Sequence, residues 1–338
     1  MKQNFSQWIP LIELSMKLFR LKPWDFILES DIFAIESPYT GKIYYISAMG
    51  RLGETLALSA YEGDVALSSF WRLRDTNTLT RPEDILNIPH YMISWEIPDF
   101  LFDEQLEIHD ALLTPASRNG RRPQITRIVP GFAPYVINNE EIEEIECIIS
   151  QSIQVIKRLK LDDSILFNEE SDDDEYLFRL ASKSGEKWTW RDEYRLVPQA
   201  FARYTFSVDQ QLLEIFMKLP AILETVQIDI ITFPRGVIEN ERTIFPTLLL
   251  IVHAKTGVIL HFMLIKPEPD YEGMINELPN RVMESFIEFK RRPTRITYRT
   301  PPLTEAMRLL ASKAKFKAWY TEKMPHMDEA IDHSLNFI

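Results

Sequence analysis

The hydrophobic pattern between residues 226 and 337 alternates between two periods, one typical of strands and one typical of helices. Val226–Phe233 is rich in β-branched residues and alternates in polarity, with Asp229 as its acidic position. Two further apolar runs, Phe245–Val252 and Val258–Lys266, flank a short segment that ends in Gly257, which predicts a hairpin. The pattern then predicts a helix, a strand, a helix, a strand and a helix: Met274–Lys290, Ile296–Tyr298, Leu303–Ala314, Phe316–Tyr320 and Met327–Phe337.

The first half of the chain shows a similar order of elements. A helix is predicted over Ser6–Leu21, and a long helix capped by Asn138 or Asn139 ends at Leu159. Between them the pattern predicts three strands, a helix, a strand, a helix and a strand: Ile32–Ile35, Ile43–Met49, Thr55–Tyr61, Val65–Leu73, Tyr91–Ile97, Asp103–Leu113 and Gln124–Val129. The shared order suggests a duplicated architecture, which different strand orders in the two sheets would reject.

These elements predict an α+β protein with two domains, each built on a mixed sheet. Residues 1–160 form the N-terminal domain, residues 221–338 form the C-terminal domain, and residues 161–220 supply an acidic linker, a hairpin and a connecting helix. The hairpin is predicted from Tyr176–Ala181 and Lys187–Leu196. The acidic run before it lacks the glycine and the spacing of a calcium-binding EF-hand, which favours a linker over a cation site. Its members are Asp162, Asp163, Glu169, Glu170, Asp172, Asp173, Asp174 and Glu175.

The C-terminal order, β-β-β-α-β-α-β-α, resembles that of the ribonuclease H-like fold. The resemblance implies nucleases and integrases that hold two divalent metals, about 4 Å apart, between clustered carboxylates. Asp229 matches the acidic position on the first strand and is the one candidate for a residual metal ligand. Carboxylates on the helices are Glu284, Glu288, Asp328 and Asp332. The fourth strand instead ends in Arg299, and a guanidinium neither ligates a metal nor acts as a base near neutral pH.

A second resemblance is carried by stretches at both ends of the chain. The N-terminal ones are LKPWDFI at 21–27, SDIFAI at 30–35, SPYTGKIYYISAMG at 37–50 and LALSAYEGD at 56–64. The C-terminal ones are RRPTRITYR at 291–299 and MDEAI at 327–331. They are similar to a family of uncharacterised bacterial proteins that carry N- and C-terminal domains of unknown function. This resemblance implies a non-secreted bacterial protein, but no reaction and no catalytic residue.

Composition excludes several classes of site. A chain of 338 residues that is 45% hydrophobic can bury a sizeable core, and its ten glycines leave little material for glycine-rich phosphate loops. Neither a signal peptide nor an apolar run of about 18 residues is evident, so we expect a cytoplasmic protein. The single cysteine, Cys147, lies among isoleucines and predicts a buried, inert thiol. We therefore expect no cofactor.

The histidines do not form a metal or catalytic motif in the sequence. His253 and His261 lie on consecutive predicted strands, where a tight loop over residues 254–257 would pair His261 with Leu250. Side chains alternate between the faces of a sheet, so this register would point the two rings to opposite sides. A one-residue slip would bring them to the same side. We assign no catalytic residue.

Charge is distributed unevenly along the chain. The formal net charge of −12 disfavours nonspecific nucleic-acid binding by the whole molecule. Between Arg281 and Lys323, however, the sequence contains eleven basic residues and only four acidic ones. Four arginines in this block are candidate phosphate-binding residues: Arg291, Arg292, Arg295 and Arg299. The other interpretation of the block is a solvated surface.

The sequence therefore supports two hypotheses from different functional classes. The leading one is a non-catalytic intracellular protein that presents a surface to a protein partner, because no complete catalytic constellation is evident. The alternative is a divergent nucleic-acid-binding or nucleic-acid-processing protein that uses the basic block.

Overall fold

The computed structural model describes residues 5–53, 55–74, 82–168, 171, 174–185, 187–233, 235–239 and 242–337. The chain divides into two compact units, each of which combines helices with a sheet, so the protein is α+β. The first unit comprises residues 1–74, 88–129 and 134–201, and the second comprises residues 75–87, 130–133 and 202–338. Across the described part of the chain, no helix has both the length and the apolar character needed to span a bilayer.

The first unit contains eight strands and four α-helices among its described residues. In chain order they are α1 (Trp8–Leu21), β1 (Phe33–Glu36), β2 (Ile43–Met49), β3 (Ala57–Glu62), α2 (Gly63–Arg74), β4 (His90–Glu96), α3 (Asp103–Ala111), β5 (Arg122–Ile128), β6 (Tyr135–Val136), α4 (Ile142–Leu159), β7 (Glu175–Ser184) and β8 (Lys187–Leu196). Short 3-10 helices cover Pro23–Asp25, Pro98–Phe100 and Asp163–Leu166.

The sheet of the first unit has the order β6-β5-β4-β3-β2-β1-β7-β8, and all neighbours are antiparallel except β1 and β7. Helix α4 packs against α1, and its isoleucines recur every three or four residues, which places them on one buried face. They are Ile142, Ile145, Ile148, Ile149, Ile153 and Ile156. Trp24 and Trp95, with ring centroids 5.4 Å apart, lie in the same core.

Among its described residues, the second unit contains seven strands and five α-helices. In chain order they are α5 (Gln210–Met217), β9 (Ala221–Thr232), β10 (Val237–Glu239), β11 (Arg242–Ile244), β12 (Thr247–His253), β13 (Ile259–Ile265), α6 (Tyr271–Asn276), α7 (Leu278–Glu288), β14 (Arg292–Tyr298), α8 (Pro301–Ala314), β15 (Lys317–Tyr320) and α9 (Pro325–Phe337). A 3-10 helix covers Pro82–Asn87. The long helix predicted over Met274–Lys290 is divided at Glu277, with Pro279 in the first turn of α7.

The main sheet of the second unit has the order β13-β12-β9-β14-β15. Strands β9, β12 and β13 are antiparallel neighbours, whereas β14 runs parallel to β9 and β15 runs parallel to β14. Helices α7 and α8 cover one face, where Phe286 and Leu310 pack with Ile228. Helix α9 covers the other face, where Met327 packs with Leu250. Because β9 is central, its side chains lie under helices on both sides.

The two sheets connect their strands differently. In the first unit, β4 pairs antiparallel with β3, the strand that precedes it. In the second unit, β14 pairs in parallel with β9, the first strand of that sheet. The hypothesis of a duplicated architecture is therefore wrong, since a shared order of elements does not produce a shared strand order.

The predicted hairpin between the domains is present and belongs to the first sheet. Strands β7 and β8 pair over their full length, and Ala34 on β1 pairs with Phe178 on β7. Residues 175–196 thus extend the sheet of the first unit, although the sequence placed them in the connecting segment. Four members of the acidic run, Glu169, Glu170, Asp172 and Asp173, lie outside the described residues.

Candidate functional site

The central strand of the second sheet carries a buried carboxylate. Asp229 lies in the second half of β9, between two apolar neighbours, Ile228 and Ile230, that point into the core under α7 and α8. Alternation along the strand therefore directs Asp229 to the face covered by α9. Its exposed fraction is 1%. Burying an ionised carboxylate is costly unless other groups pair with it, so its partners define the site.

Strand β14 supplies those partners at its carboxyl end. Its parallel register with β9 places Tyr298 beside Ile228, so Arg299 and Thr300 follow at the level of Asp229. Arg299 donates from Nη2 to Oδ2 of Asp229 at 2.8 Å and from Nε to the same oxygen at 3.2 Å. The Thr300 hydroxyl donates to Oδ1 of Asp229, and the backbone N–H of Ile230 donates to Oδ1 at 3.0 Å. Both carboxylate oxygens are therefore engaged.

Helix α9 adds a second carboxylate to the same guanidinium. Oδ1 of Asp328 lies 2.8 Å from Nη1 of Arg299 and forms an ion pair with it. Burial by itself lowers the pKa of the Arg299 guanidinium, but the charges and hydrogen bonds of Asp229 and Asp328 raise that pKa above its ordinary value. Arg299 is thus a permanent cation between two carboxylates. We call Asp229, Arg299, Thr300 and Asp328 the Arg299 cluster.

The other carboxylates considered from the sequence lie elsewhere. Glu284 and Glu288 are on α7, which packs against the opposite face of the sheet, where they contact Arg281 at 2.9 Å and His261 at 3.3 Å. Asp332 is exposed on α9. Within the described ranges, no three His, Cys, Asp or Glu side chains converge so as to hold a metal ion.

The four candidate phosphate-binding arginines are spread along the length of β14 and are not brought together. Arg299 belongs to the cluster, and Arg292 donates from Nε to the carbonyl oxygen of Leu219 at 3.1 Å. Arg295 is exposed but donates from Nη2 to the carbonyl oxygen of Leu223. Arg291 is exposed at the start of the strand. Three of the four side chains thus form hydrogen bonds or ion pairs within the protein.

Sequence reasoning identified Asp229 and Arg299 and included Asp328 among the possible carboxylates, but it did not pair them. It also missed Thr300, whose hydroxyl occupies the second oxygen of Asp229. The available signal was the adjacency of Thr300 to Arg299 at the end of a predicted strand, combined with an acidic residue on another strand. These two features of the sequence are brought together only by the parallel pairing of β14 with β9, which places Arg299 and Thr300 at the level of Asp229.

The comparisons with known proteins agree with the resemblance found at the two ends of the chain. A family model described as a domain of unknown function, DUF7309, matches residues 8–179. A second model with the same description, DUF6930, matches residues 212–333. The first match extends well beyond the seventy residues that the quoted stretches cover. No curated protein and no solved structure matches the chain. The chain therefore belongs to the family defined by DUF7309, followed by a domain of the DUF6930 type.

Proposed function

We propose that this protein acts by binding a protein partner and that its second unit is a ribonuclease H-like scaffold without a catalytic centre. The observation that carries the non-catalytic part of this proposal is the Arg299 guanidinium, which lies between the carboxylates of Asp229 and Asp328. The order of strands and helices in this unit, with three antiparallel strands before two parallel ones, supports the comparison with that fold.

In the Arg299 cluster, one guanidinium forms ion pairs with two carboxylates of the same chain. Two-metal phosphodiester chemistry requires carboxylates that converge with free oxygens, so that ions about 4 Å apart contact the attacking and leaving oxygens. Here one cation, fixed by its own side chain, neutralises Asp229 while Thr300 and the backbone of Ile230 occupy the remaining oxygen. A guanidinium with a raised pKa does not accept a proton. Asp229 and Arg299 are therefore engaged with each other and with their neighbours, and neither is a free general acid or base.

Two experiments test this proposal. The purified full chain is incubated with labelled DNA, RNA and hybrid duplexes in the presence of Mg²⁺ or Mn²⁺, alongside Asp229→Asn. Equal background with both proteins is expected. Metal-dependent cleavage by the wild type that disappears in Asp229→Asn would overturn the non-catalytic part of the proposal.

Affinity capture from the native cytosol, with the folded full chain as bait, is expected to recover a protein partner. Recovery of no protein would count against the binding role.

A second candidate function, nucleic-acid binding, is favoured by the surface around β15. The indole of Trp319 is 43% exposed, and Lys313, Lys315 and Lys317 are exposed on the segment that leads to it. Lysines that neutralise phosphates and aromatic rings that stack on bases are the usual elements of single-strand binding. This candidate uses residues of the basic block other than the arginines of β14.

The nucleic-acid candidate predicts a gel shift that weakens steeply with salt, because counterions are released from each neutralised phosphate. Trp319→Ala and the pair Lys315→Glu, Lys317→Glu should then reduce binding. The matched control is Arg191→Glu on β8, a change of charge at an exposed position outside the basic block, where the side chain pairs with Glu193. A chain that binds no labelled nucleic acid at low salt rejects this candidate and leaves the protein-binding proposal in place.

A further inference from the structure

The two edges of the second sheet differ in length and in charge. At one edge, β15 has four residues, includes Lys317, and is preceded by the exposed Lys315. At the other edge, β13 has seven residues, and the segment from Val258 to Ile265 contains no Asp, Glu, Lys or Arg. Natural proteins protect exposed edges with short strands and lysines, because an open edge pairs readily with another strand. Strand β15 has both features, whereas β13 is longer and contains no lysine, and its one irregularity is a bulge near its start, at Leu260.

The side chains of β13 extend an apolar row beyond the covered part of the sheet. Leu264 and Phe262 pair with Leu248 and Leu250 on β12, both of which are buried, and Leu250 lies beneath α9. The exposed fractions of Phe262 and Leu264 are 52% and 40%. A buried apolar row on β12 therefore continues onto β13 and stops at solvent.

The main-chain groups on the outer side of β13 have no neighbouring strand. Among the described residues, β13 pairs with β12 alone, and it ends the sheet. Alternate residues of this seven-residue strand thus present main-chain donors and acceptors to solvent, next to exposed phenyl and leucyl side chains. Peptide backbone in a β conformation satisfies such a ladder, whereas a nucleic acid or a small molecule does not.

We propose that β13 pairs antiparallel with β13 of a second copy of this chain, which joins the two sheets into one ten-stranded sheet around a two-fold axis. An antiparallel edge contact of this kind is self-complementary, since each residue meets the same strand of the other copy. No like charges oppose each other across the contact, whereas two copies of β15 would bring lysines together. This inference is independent of the proposed function.

The register follows from the centre of the strand. Phe262 is the middle residue of Ile259–Ile265, so a two-fold axis at this position sets Phe262 opposite its own copy. Facing aromatic and aliphatic side chains are the pairs that stabilise antiparallel strands. Directly opposed residues have Cα atoms about 4.5 to 5.5 Å apart, which is within the range that a disulfide spans.

The first test measures the mass of the full chain in solution over a wide range of concentration by light scattering and sedimentation. A dimer is expected for the wild type. Phe262→Lys combined with Leu264→Lys should abolish the dimer, because it places like charges on both sides of the contact. The matched control is Trp319→Lys at the opposite edge, which should remain dimeric. The proposal is overturned if the wild type is monomeric at every concentration. It is also overturned if the variant with lysine at positions 262 and 264 remains as dimeric as the Trp319→Lys control.

The second test does not depend on tolerance of the lysines. Phe262→Cys should give a disulfide-linked dimer on mild oxidation, visible on a non-reducing gel, because the two sulfurs meet at the axis. The control is Val258→Cys, which is also at an exposed position but lies four residues from the axis, so its copies are far apart. Cross-linking at position 258 and not at 262 would show a different contact and overturn the register. The native Cys147 is buried, so we expect it to form no competing disulfide in this assay.

Discussion

The guanidinium of Arg299 lies against the carboxylate of Asp229, with 2.8 Å between Nη2 and Oδ2, although 70 residues separate them in the chain. The contact exists because β14 runs parallel to β9 and ends one residue before the level of Asp229. A buried carboxylate on a central strand would otherwise cost several kcal/mol. Arg299 supplies the compensating charge, and its energetic role can be measured.

Replacing Arg299 with Met should destabilise the second unit by about 3 to 5 kcal/mol, because it leaves Asp229 buried beside only hydroxyl and amide donors. Urea unfolding followed by far-UV circular dichroism measures the change. The control is Arg308→Met, which removes an exposed ion pair with Glu305 and should change stability by about 1 kcal/mol at most. A loss at Arg299 no larger than the loss at Arg308 would contradict the structural role of the cluster.

At the same site, the effects of two substitutions on the free energy of unfolding should not be additive. Asp229→Leu together with Arg299→Met removes the buried charge and its partner, so the double variant should recover much of the stability that Arg299→Met loses. The expected coupling between the two positions is about 2 to 3 kcal/mol, measured as a double-mutant cycle. Additive losses would show that the two side chains act separately.

The sequence predicted the order of the main helices and strands and drew attention to Asp229 and Arg299, but it did not predict the short strands β6, β10 and β11 or the way the strands pair. Local periodicity reports which face of a strand is buried, whereas strand order depends on contacts between distant segments. This is why the duplication hypothesis was wrong. It is also why the hairpin at residues 175–196 was placed outside the first sheet.

The histidine pair illustrates a second limit. Tight pairing predicted His261 opposite Leu250, with its ring on the face away from His253. A register shift between Ile251 and Val252 instead places His261 opposite Ile251, on the face that alternation also gives to His253. A bulge adds one residue to one strand, and nothing in the residue types at 258–261 indicates it. His261 contacts Glu288, and His253 contacts Thr256, so the two rings have separate partners.

Glu144 on α4 joins the helix to the turn that follows β1. Its carboxylate accepts hydrogen bonds from the hydroxyls of Ser37 at 2.5 Å and Thr40 at 2.9 Å. Glu144→Ala should destabilise the first unit by about 2 kcal/mol, because the buried hydroxyl of Ser37 and the more exposed hydroxyl of Thr40 both lose a charged acceptor. Glu143→Ala on the exposed side of the same helix is the control and should change stability by less than about 0.5 kcal/mol. Equal losses for the two variants would contradict the assignment.

Cys147 should be unreactive in the folded chain. Burial raises the pKa of its thiol to about 12, and the nearby charge of Glu144 acts in the same direction. Since the thiolate is the reactive form, modification by a disulfide reagent near pH 8 should be slower than for an unfolded cysteine by roughly three orders of magnitude. Addition of denaturant restores the ordinary rate. Rapid modification of the folded chain would show that the thiol is accessible.

The stability of the first unit should depend on the protonation of His90, whose ring is buried and lies 5.1 Å from the ring of Tyr61. Burial lowers the pKa of His90 from 6.5 to about 4; the hydrogen bond with the carbonyl oxygen of Ile88 opposes this shift, and the charge of Arg127 adds to it. Above pH 6.5 neither the folded nor the unfolded state binds this proton. Between the two values the unfolded state binds it and the folded state does not, so stability falls as the pH falls, by about 3 kcal/mol over the whole interval.

Chemical unfolding at a series of pH values between 7 and about 4.5 measures this slope. His90→Phe retains an aromatic ring beside Tyr61 but binds no proton, so its slope should be shallower by up to about 1.4 kcal/mol per pH unit. Burial also lowers the pKa of His109, which therefore contributes to the slope that remains. Burial alone raises the pKa of Glu62, but Arg127 and Lys42 bring it below its ordinary value of 4.5, so its contribution is lost at lower pH. If His90→Phe and the wild type have the same slope between pH 6.5 and 4.5, the buried imidazole is not the group that titrates in this interval.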